Sequence, residues 1–363
     1  MKNSTKRIIA IVCVIVISAF AFGACNSGGG TTPAPEPTAP TPTAPEPTAP
    51  EPAAEAITLS YTHHQNPGTI PDGAHNEWAK MIEEASGGAL KIEVFGAQTL
   101  GKQADFYDMI TNGVADIAYI FIPNFPGVFP ATEGISLPMI GHTSATAGSR
   151  ALQEFFETSE VVQREWGDVK VLFMHTHDPA PITTISKQIL TADDFRGLNL
   201  RVIGDPQIKM IQALGGATTA IPSTELYSAL EKGVVDGCAI GWEGVLAYNL
   251  PEIADYIIDC NLYCGAFITI MNKDVWEGLS PELQQVFIDV GGTDLFGGAY
   301  DGIVAENKVL AAEMGTTVTP ISAEEQAKWL EIAMPIHDEY IQRLGADGEA
   351  TYQLLVDLVA KHS

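Results

Sequence analysis

The sequence predicts an α/β protein of two lobes that close on a cleft. Three observations carry this: apolar runs with strand period alternate with amphipathic helical stretches, the same βαβαβ order occurs twice, and the folded part of some 300 residues is long enough for two cores. Residues 57–61 alternate as a strand. A helix follows with Trp78, Ile82 and Ala85 on one face, and Gly87 and Gly88 end it. Leu90, Ile92 and Val94 line one side of the next strand. A second helix carries Phe106, Met109 and Ile110, stops at Asn112 and Gly113, and leads into a strand at 116–121. Strands and helices in this order predict a largely parallel sheet covered on both faces.

The order recurs downstream. A strand at 198–203 precedes a helix opening at Asp205 and Pro206, with Ile208, Ile211 and Leu214 inward and Gly215 and Gly216 as its stop; a strand at 218–221 and a helix at 224–232 follow. That helix ends in Gly233, Val234, Val235 and Asp236, which echo Gly113, Val114, Ala115 and Asp116 in the first half. Glycine supplies the left-handed residue at both helix ends. Two such sheets facing each other place a ligand outside the carboxyl ends of their strands. Beyond Met271 the chain reads as mainly helical. Ser280, Pro281 and Glu282 cap a long helix reaching about Met314, able to bridge both lobes, and helices at 323–344 and 347–362 complete the second lobe. The glycines between Gly291 and Gly302 interrupt this long helix, with close packing as their plain account.

The amino-terminal residues read as an export signal spanning 1–24. Lys2, Lys6 and Arg7 precede an apolar run that is short for a membrane span and ends in Phe22, Gly23 and Ala24 before Cys25. This resembles a lipobox, with Phe22 where Leu is usual, so Cys25 is the expected lipidation site. Residues 25–56 then form the lipid anchor and a tether of Ala-Pro-Glu-Pro-Thr-like units with too little apolar bulk to fold. The expected location is extracytoplasmic, on the cell membrane. Loss of the three cations of the signal takes the net charge from −26 to −29. A surface so acidic repels nucleic acid and anionic lipid headgroups, so neither is an expected partner.

Few residues advertise chemistry. His175 and His177 stand two apart at a strand end, as metal ligands would, yet only His337 and His362 lie downstream to complete a site. The nucleophile-elbow, zinc-helix, phosphate-loop and dinucleotide signatures are missing from the sequence, and no enzymatic activity or catalytic residue is expected. Arg201 sits near the carboxyl end of a strand of buried types. There it is either a structural arginine or a bidentate grip for a carboxylate. Trp242, between Gly241 and Glu243, is either core or an aromatic face for a planar ligand. Cys260 and Cys264 are either a short bridge or buried thiols, with Cys238 left over.

Several segments resemble the solute-binding subunits (DctP family) of tripartite ATP-independent periplasmic (TRAP) transporters. They are Asp-Asp-Phe-Arg-Gly-Leu-Asn-Leu-Arg-Val at 193–202, Ala-Leu-Gly-Gly-Ala at 213–217 and Ser-Thr-Glu-Leu-Tyr-Ser-Ala-Leu-Glu-Lys-Gly-Val-Val-Asp-Gly at 223–237. Residues 83–101, 112–116, 136–138, 271–276 and 279–282 resemble the family in the family's order, so the likeness covers nearly all of the folded part.

The resemblance implies a two-lobe periplasmic-binding-protein-like clamp (type II-like) with a long bridging helix. Lobe I would take 57–178 and 267–313, lobe II 179–266 and 314–363. The clamp would capture a small organic acid and deliver it to the TRAP permease. It also implies that Arg201 holds the ligand carboxylate, with His63 or His64 and Phe121 contacting ligand from lobe I, and Ser223, Ile240 and Trp242 from lobe II. The chain departs from the family at Pro179, Ala180 and Pro181, where many members carry a second arginine. It departs again at Cys238, Ala239, Ile240 and Gly241, where many carry Gln-Glu-Asn-Pro. Fewer polar partners point to a monocarboxylate with an aromatic or branched body. No cofactor is expected; some members hold a metal ion beside the carboxylate, and Glu243 leaves that alternative open. The same clamp used as a sensor, docking on a chemoreceptor or histidine-kinase ectodomain, is the second functional expectation.

Overall fold

The structure, a computed structural model, describes residues 56–363. The expected signal, Cys25 and all but the last residue of the tether lie outside the described residues. The first half runs β1 (Ile57–Thr62), α1 (Ile70–Ala85), β2 (Leu90–Phe95), α2 (Phe106–Thr111), β3 (Ile117–Phe121), α3 (Ala145–Thr158), α4 (Glu160–Glu165) and β4 (Val169–Thr176). The second runs β5 (Ile182–Thr184), β6 (Asn199–Arg201), α5 (Asp205–Ala213), β7 (Ala217–Thr219), α6 (Leu226–Glu231), β8 (Gly237–Ala239), α7 (Trp242–Ala247) and β9 (Tyr256–Asp259). Then come β10 (Ala266–Asn272), α8 (Lys273–Gly278), α9 (Pro281–Val290), α10 (Thr293–Glu313), β11 (Thr317–Pro320), α11 (Ala323–Arg343) and α12 (Gly348–His362).

Two sheets result, ordered β2-β1-β3-β10-β4 and β11-β9-β5-β8-β6-β7. The predicted parallel cores are present: β1 pairs parallel with β2 and β3, and β6 with β7 and β8. Each sheet also carries an antiparallel strand that alternation does not announce. β5, the first strand after the chain leaves the first sheet, lies antiparallel between β8 and β9. β10, the first after it returns, lies antiparallel between β3 and β4. The crossings fall at 177–181 and 260–265, so the cleft is floored by chain passing between lobes.

Period-two alternation sorts β3 as expected. Ala118 and Ile120 join a core with α2, α3 and α12, while Ile117 and Tyr119 join another with Trp78 of α1 and Phe296 of α10. In the second sheet Leu200 packs toward α5 and α11, and Cys238 toward α6, α7 and Ala311 of α10. The sequence assigns 314–363 to lobe II, but the structure divides this stretch. β11 extends the second sheet, whereas Leu355, Leu358 and Val359 of α12 lie in the core of the first.

The bridging helical stretch from Pro281 to Glu313 is broken once. Gly291, with φ 55°, closes α9, and α10 restarts at Thr293. A Cβ at Gly292 would stand 2.6 Å from the Phe173 ring, so the break also lets the backbone approach the first sheet. α10 then ties both lobes. The Asp301 carboxylate accepts the backbone N–H groups of Ala145 and Thr146 at 2.6 and 2.8 Å on the lobe I side. On the lobe II side Asn307 Nδ2 donates to the Trp242 carbonyl oxygen at 2.9 Å, and Lys308 Nζ meets Asp259 at 2.6 Å.

Candidate functional site

A cavity of about 720 Å³ opens where the strands of both sheets end. From lobe I it is lined by His64 just after β1, Phe121 at the end of β3, and His177 and Asp178 just after β4. From lobe II come Arg201, the last residue of β6, Ser223, and Ile240 following β8. This is the strand-end placement that open α/β sheets give their ligands.

Arg201 is 3% exposed although it lines the cavity. Its Nε donates to the Ile221 carbonyl oxygen at 2.9 Å. Burial lowers its pKa, and the groups that act against this are Cys238, Tyr263 and Tyr248, none of them a carboxylate. Among the described residues the guanidinium is thus desolvated and fixed in direction without a counter-anion, a costly arrangement that an incoming carboxylate relieves.

The predicted contacts divide. Of the two neighbouring histidines, His64 lines the cavity; Gln103 Nε2 donates to its Nδ1 at 3.0 Å, and burial pushes its pKa down to about 3. His63 does not line it. Adjacent residues of an extended segment point to opposite sides, and the His63 ring is buried against His75, stacked at 4.1 Å. Phe121, Ser223 and Ile240 line the cavity. Trp242 is corrected to a core residue. It is 1% exposed, packs with Val245 and Leu250, and donates its indole N–H to Asp259 at 3.1 Å.

His177, weighed above as a metal ligand, has a fixed tautomer. The Gly265 N–H donates to its Nε2 at 2.8 Å, so Nδ1 bears the proton and donates to the Asp178 carbonyl oxygen at 2.5 Å. His175 is separated from it, buried in the aromatic layer beneath the cavity against Phe267 and Phe296. Among the described residues no three His, Cys, Asp or Glu side chains converge as a metal cage. Cys238, Cys260 and Cys264 are free and buried.

Sequence reasoning missed several lining residues. Tyr263 and Phe267 come from the return crossing and β10, Tyr248 follows α7, and Tyr300 comes from α10. Asp178 also lines the cavity, as does Glu243, which the sequence offered only as a candidate metal ligand; burial raises both carboxyls to about 7, the Glu243 shift reinforced by Asp178. The sequence signal available for Asp178 was its place directly after a strand of buried types.

A family model described as DctP, bacterial extracellular solute-binding protein, family 7, matches residues 61–343. The chain belongs to this family. A DctP-family relative, the C4-dicarboxylate-binding periplasmic protein of Rhodobacter capsulatus, is 25% identical over 81% of this chain and 89% of its own length. Among solved structures, a TRAP solute-binding protein of Rhodoferax ferrireducens in complex with copurified benzoate superposes with a TM-score of 0.79 at 28% identity, over 85% of this chain and 98% of that one. A marine metagenome TRAP protein specific for aromatic acid ligands, co-crystallised with 3-hydroxybenzoate, has a TM-score of 0.79 at 28% identity, over 85% and 99%. This DctP-family chain is a non-catalytic, extracytoplasmic solute-binding subunit, built as a two-lobe clamp, that delivers a small organic acid to a TRAP permease.

Proposed function

We propose that the acid is a monocarboxylate with an aromatic or branched body. Its carboxylate meets Arg201, and its body lies among Phe121, Ile240, Tyr263 and Phe267. The observation that carries this reading is the buried Arg201 guanidinium without a counter-anion among the described residues, at the wall of a cavity otherwise rich in rings. A second carboxylate would find only Lys102 among the lining cations, on an exposed residue of the cleft rim. Solvent there screens a charge that burial strengthens at Arg201. The benzoate and 3-hydroxybenzoate held by two relatives at 28% identity support an aromatic body.

Affinity in the micromolar range requires only about 8 kcal/mol, within reach of one desolvated ion pair and an enclosed apolar body. Ligand bound between the lobes favours the closed clamp by its differential affinity for that state. Titration calorimetry against a carboxylate panel tests the proposal. Aromatic or branched monocarboxylates are expected to bind, and tight binding confined to dicarboxylates or sugar acids would overturn it. We also propose that Cys25 carries a lipid. Replacing it with alanine is then expected to release the protein from the membrane fraction, and retention of the variant there would refute the anchor.

A further inference from the structure

The cavity has two poles. Arg201 forms one. At the other, Asp178 and Glu243 line the wall together. The groups that influence these two carboxyls are backbone N–H groups and other acids, with no cation among them. The ammonium of Lys308, 5.4 Å from the centre of the Trp242 ring, is committed to Asp259 at 2.6 Å. Asp178 is fully buried; one carboxylate oxygen accepts the Trp242 N–H at 2.5 Å, and the other, Oδ1, has no hydrogen-bond partner among the described residues.

Gly241 makes this approach possible, because a Cβ there would stand 2.9 Å from Asp178 Oδ1. Tyr248 and Tyr263 line the same cavity, Tyr248 within electrostatic reach of both Glu243 and Arg201, and Tyr263 of both Asp178 and Arg201. A buried acceptor without a donor is costly, and so is a buried cation without an anion. One ligand that is an anion at one end and a donor at the other satisfies both. A ligand with only a carboxylate and a hydrocarbon body leaves the acid pole unmatched.

We propose that the ligand carries, across its body from the carboxylate, an N–H or O–H donor that the Asp178 and Glu243 pole receives. This rests on the reading of Arg201 as the carboxylate grip and makes the acid pair a specificity determinant. The substrate class narrows to amino- or hydroxy-substituted monocarboxylates. The aromatic-acid relative co-crystallised with 3-hydroxybenzoate shows that the fold accommodates such a molecule.

Calorimetry with benzoate and cyclohexanecarboxylate, each compared with its 3-hydroxy, 3-amino and 3-methoxy derivatives, tests the inference. Methoxy keeps an acceptor oxygen at the same position but donates nothing. The hydroxy or amino acid of at least one scaffold is expected to bind about tenfold or more tighter than its parent and its methoxy analogue, the span of a charge-assisted hydrogen bond. In Glu243→Gln that advantage is expected to shrink to about threefold or less. Should this variant fail to fold, the hydroxy-to-methoxy ratio of the unaltered protein decides alone. Equal affinity for donor-bearing and donor-free acids, with binding still lost in Arg201→Ala, overturns this inference and leaves the carboxylate reading intact. Binding indifferent to Arg201→Ala overturns both. Affinity that depends on added Na⁺ or Ca²⁺ also overturns the inference, because a cation would then satisfy the pair.

Discussion

The Nε of Arg201 donates to the carbonyl oxygen of Ile221 at 2.9 Å. This bond ties the guanidinium to the loop after β7 and leaves its terminal nitrogens for the cavity. A lysine has a single point charge and cannot both hold that carbonyl and grip a carboxylate through two parallel bonds. Arg201→Ala is therefore expected to weaken ligand binding by about a hundredfold or more, the cost of leaving a buried carboxylate unpaired. Arg201→Lys should recover only part of this. Unfolding by urea without ligand should move the other way. Arg201→Met removes a desolvated, unpaired charge and is expected to stabilise the empty protein by about 1 kcal/mol or more. Equal ligand affinity in all three variants would refute the role.

Acid pH sets two groups of buried residues against each other. Burial holds His64 and His175 down to about 3, and His63, His142 and His177 to about 4. For these the unfolded chain takes up protons first, so their contribution is intact above about pH 6.5 and is lost as pH falls toward 4. Asp178 and Glu243, raised to about 7, behave oppositely. Their destabilisation is complete above about pH 7 and is relieved progressively as pH falls from there toward the ordinary carboxylate range near 4. His75 and His337 are also held down and Glu133 and Glu165 also raised by burial, so imidazoles still outnumber carboxyls and the Tm is expected to drop steadily between pH 6.5 and 4.5. Glu243→Gln should raise Tm at pH 8, and by much less at pH 5, where the native carboxyl is already neutral. Scanning calorimetry across that range checks both.

The three cysteines of the folded part offer a probe of integrity. All are free and buried, and burial raises their pKa values, that of Cys238 to about 12. Thiolate is the reactive form, so native protein is expected to resist an aromatic disulfide reagent at pH 8, while the denatured chain releases a full count. Rapid labelling of any of the three in the native state would show that the second lobe opens locally.

How much of this was legible in the sequence follows from what each signal encodes. Period-two alternation and helix-ending glycines locate β1, β2, β3 and α5, because both report local geometry. They say nothing about pairing direction, and so β5 and β10 went unseen as antiparallel insertions. At the site, Arg201 stood out as a cation at the end of a strand of buried types. Trp242 misled because its neighbour Glu243 faces the cavity, and successive residues on a helical turn point about 100° apart. Tyr263 lies in the irregular crossing between β9 and β10, where no periodicity exists to place it. Asp178 and Glu243 are 65 residues apart, and only the fold brings them to one wall.

The glycines of α10 separate close packing from mere permissiveness. A Cβ at Gly297 would stand 2.9 Å from Thr146 Cα and 3.0 Å from Ser149 Oγ, in the backbone and side chains of α3. Gly298 and Gly302 have nothing within 4 Å. Glycine inside a helix costs about 0.5–1 kcal/mol relative to alanine, so Gly298→Ala and Gly302→Ala are each expected to stabilise by about that amount. Gly297→Ala gains the same helix propensity but must push α10 away from α3, at about 1–3 kcal/mol. Net destabilisation is expected there. Because α10 also bonds to lobe II through Asn307 and Lys308, that displacement should reach the cleft and weaken ligand binding as well. Denaturant unfolding and ligand titration of the three variants check this contrast, and a stabilised Gly297→Ala protein with unchanged affinity would show that α10 does not hold the lobes in register.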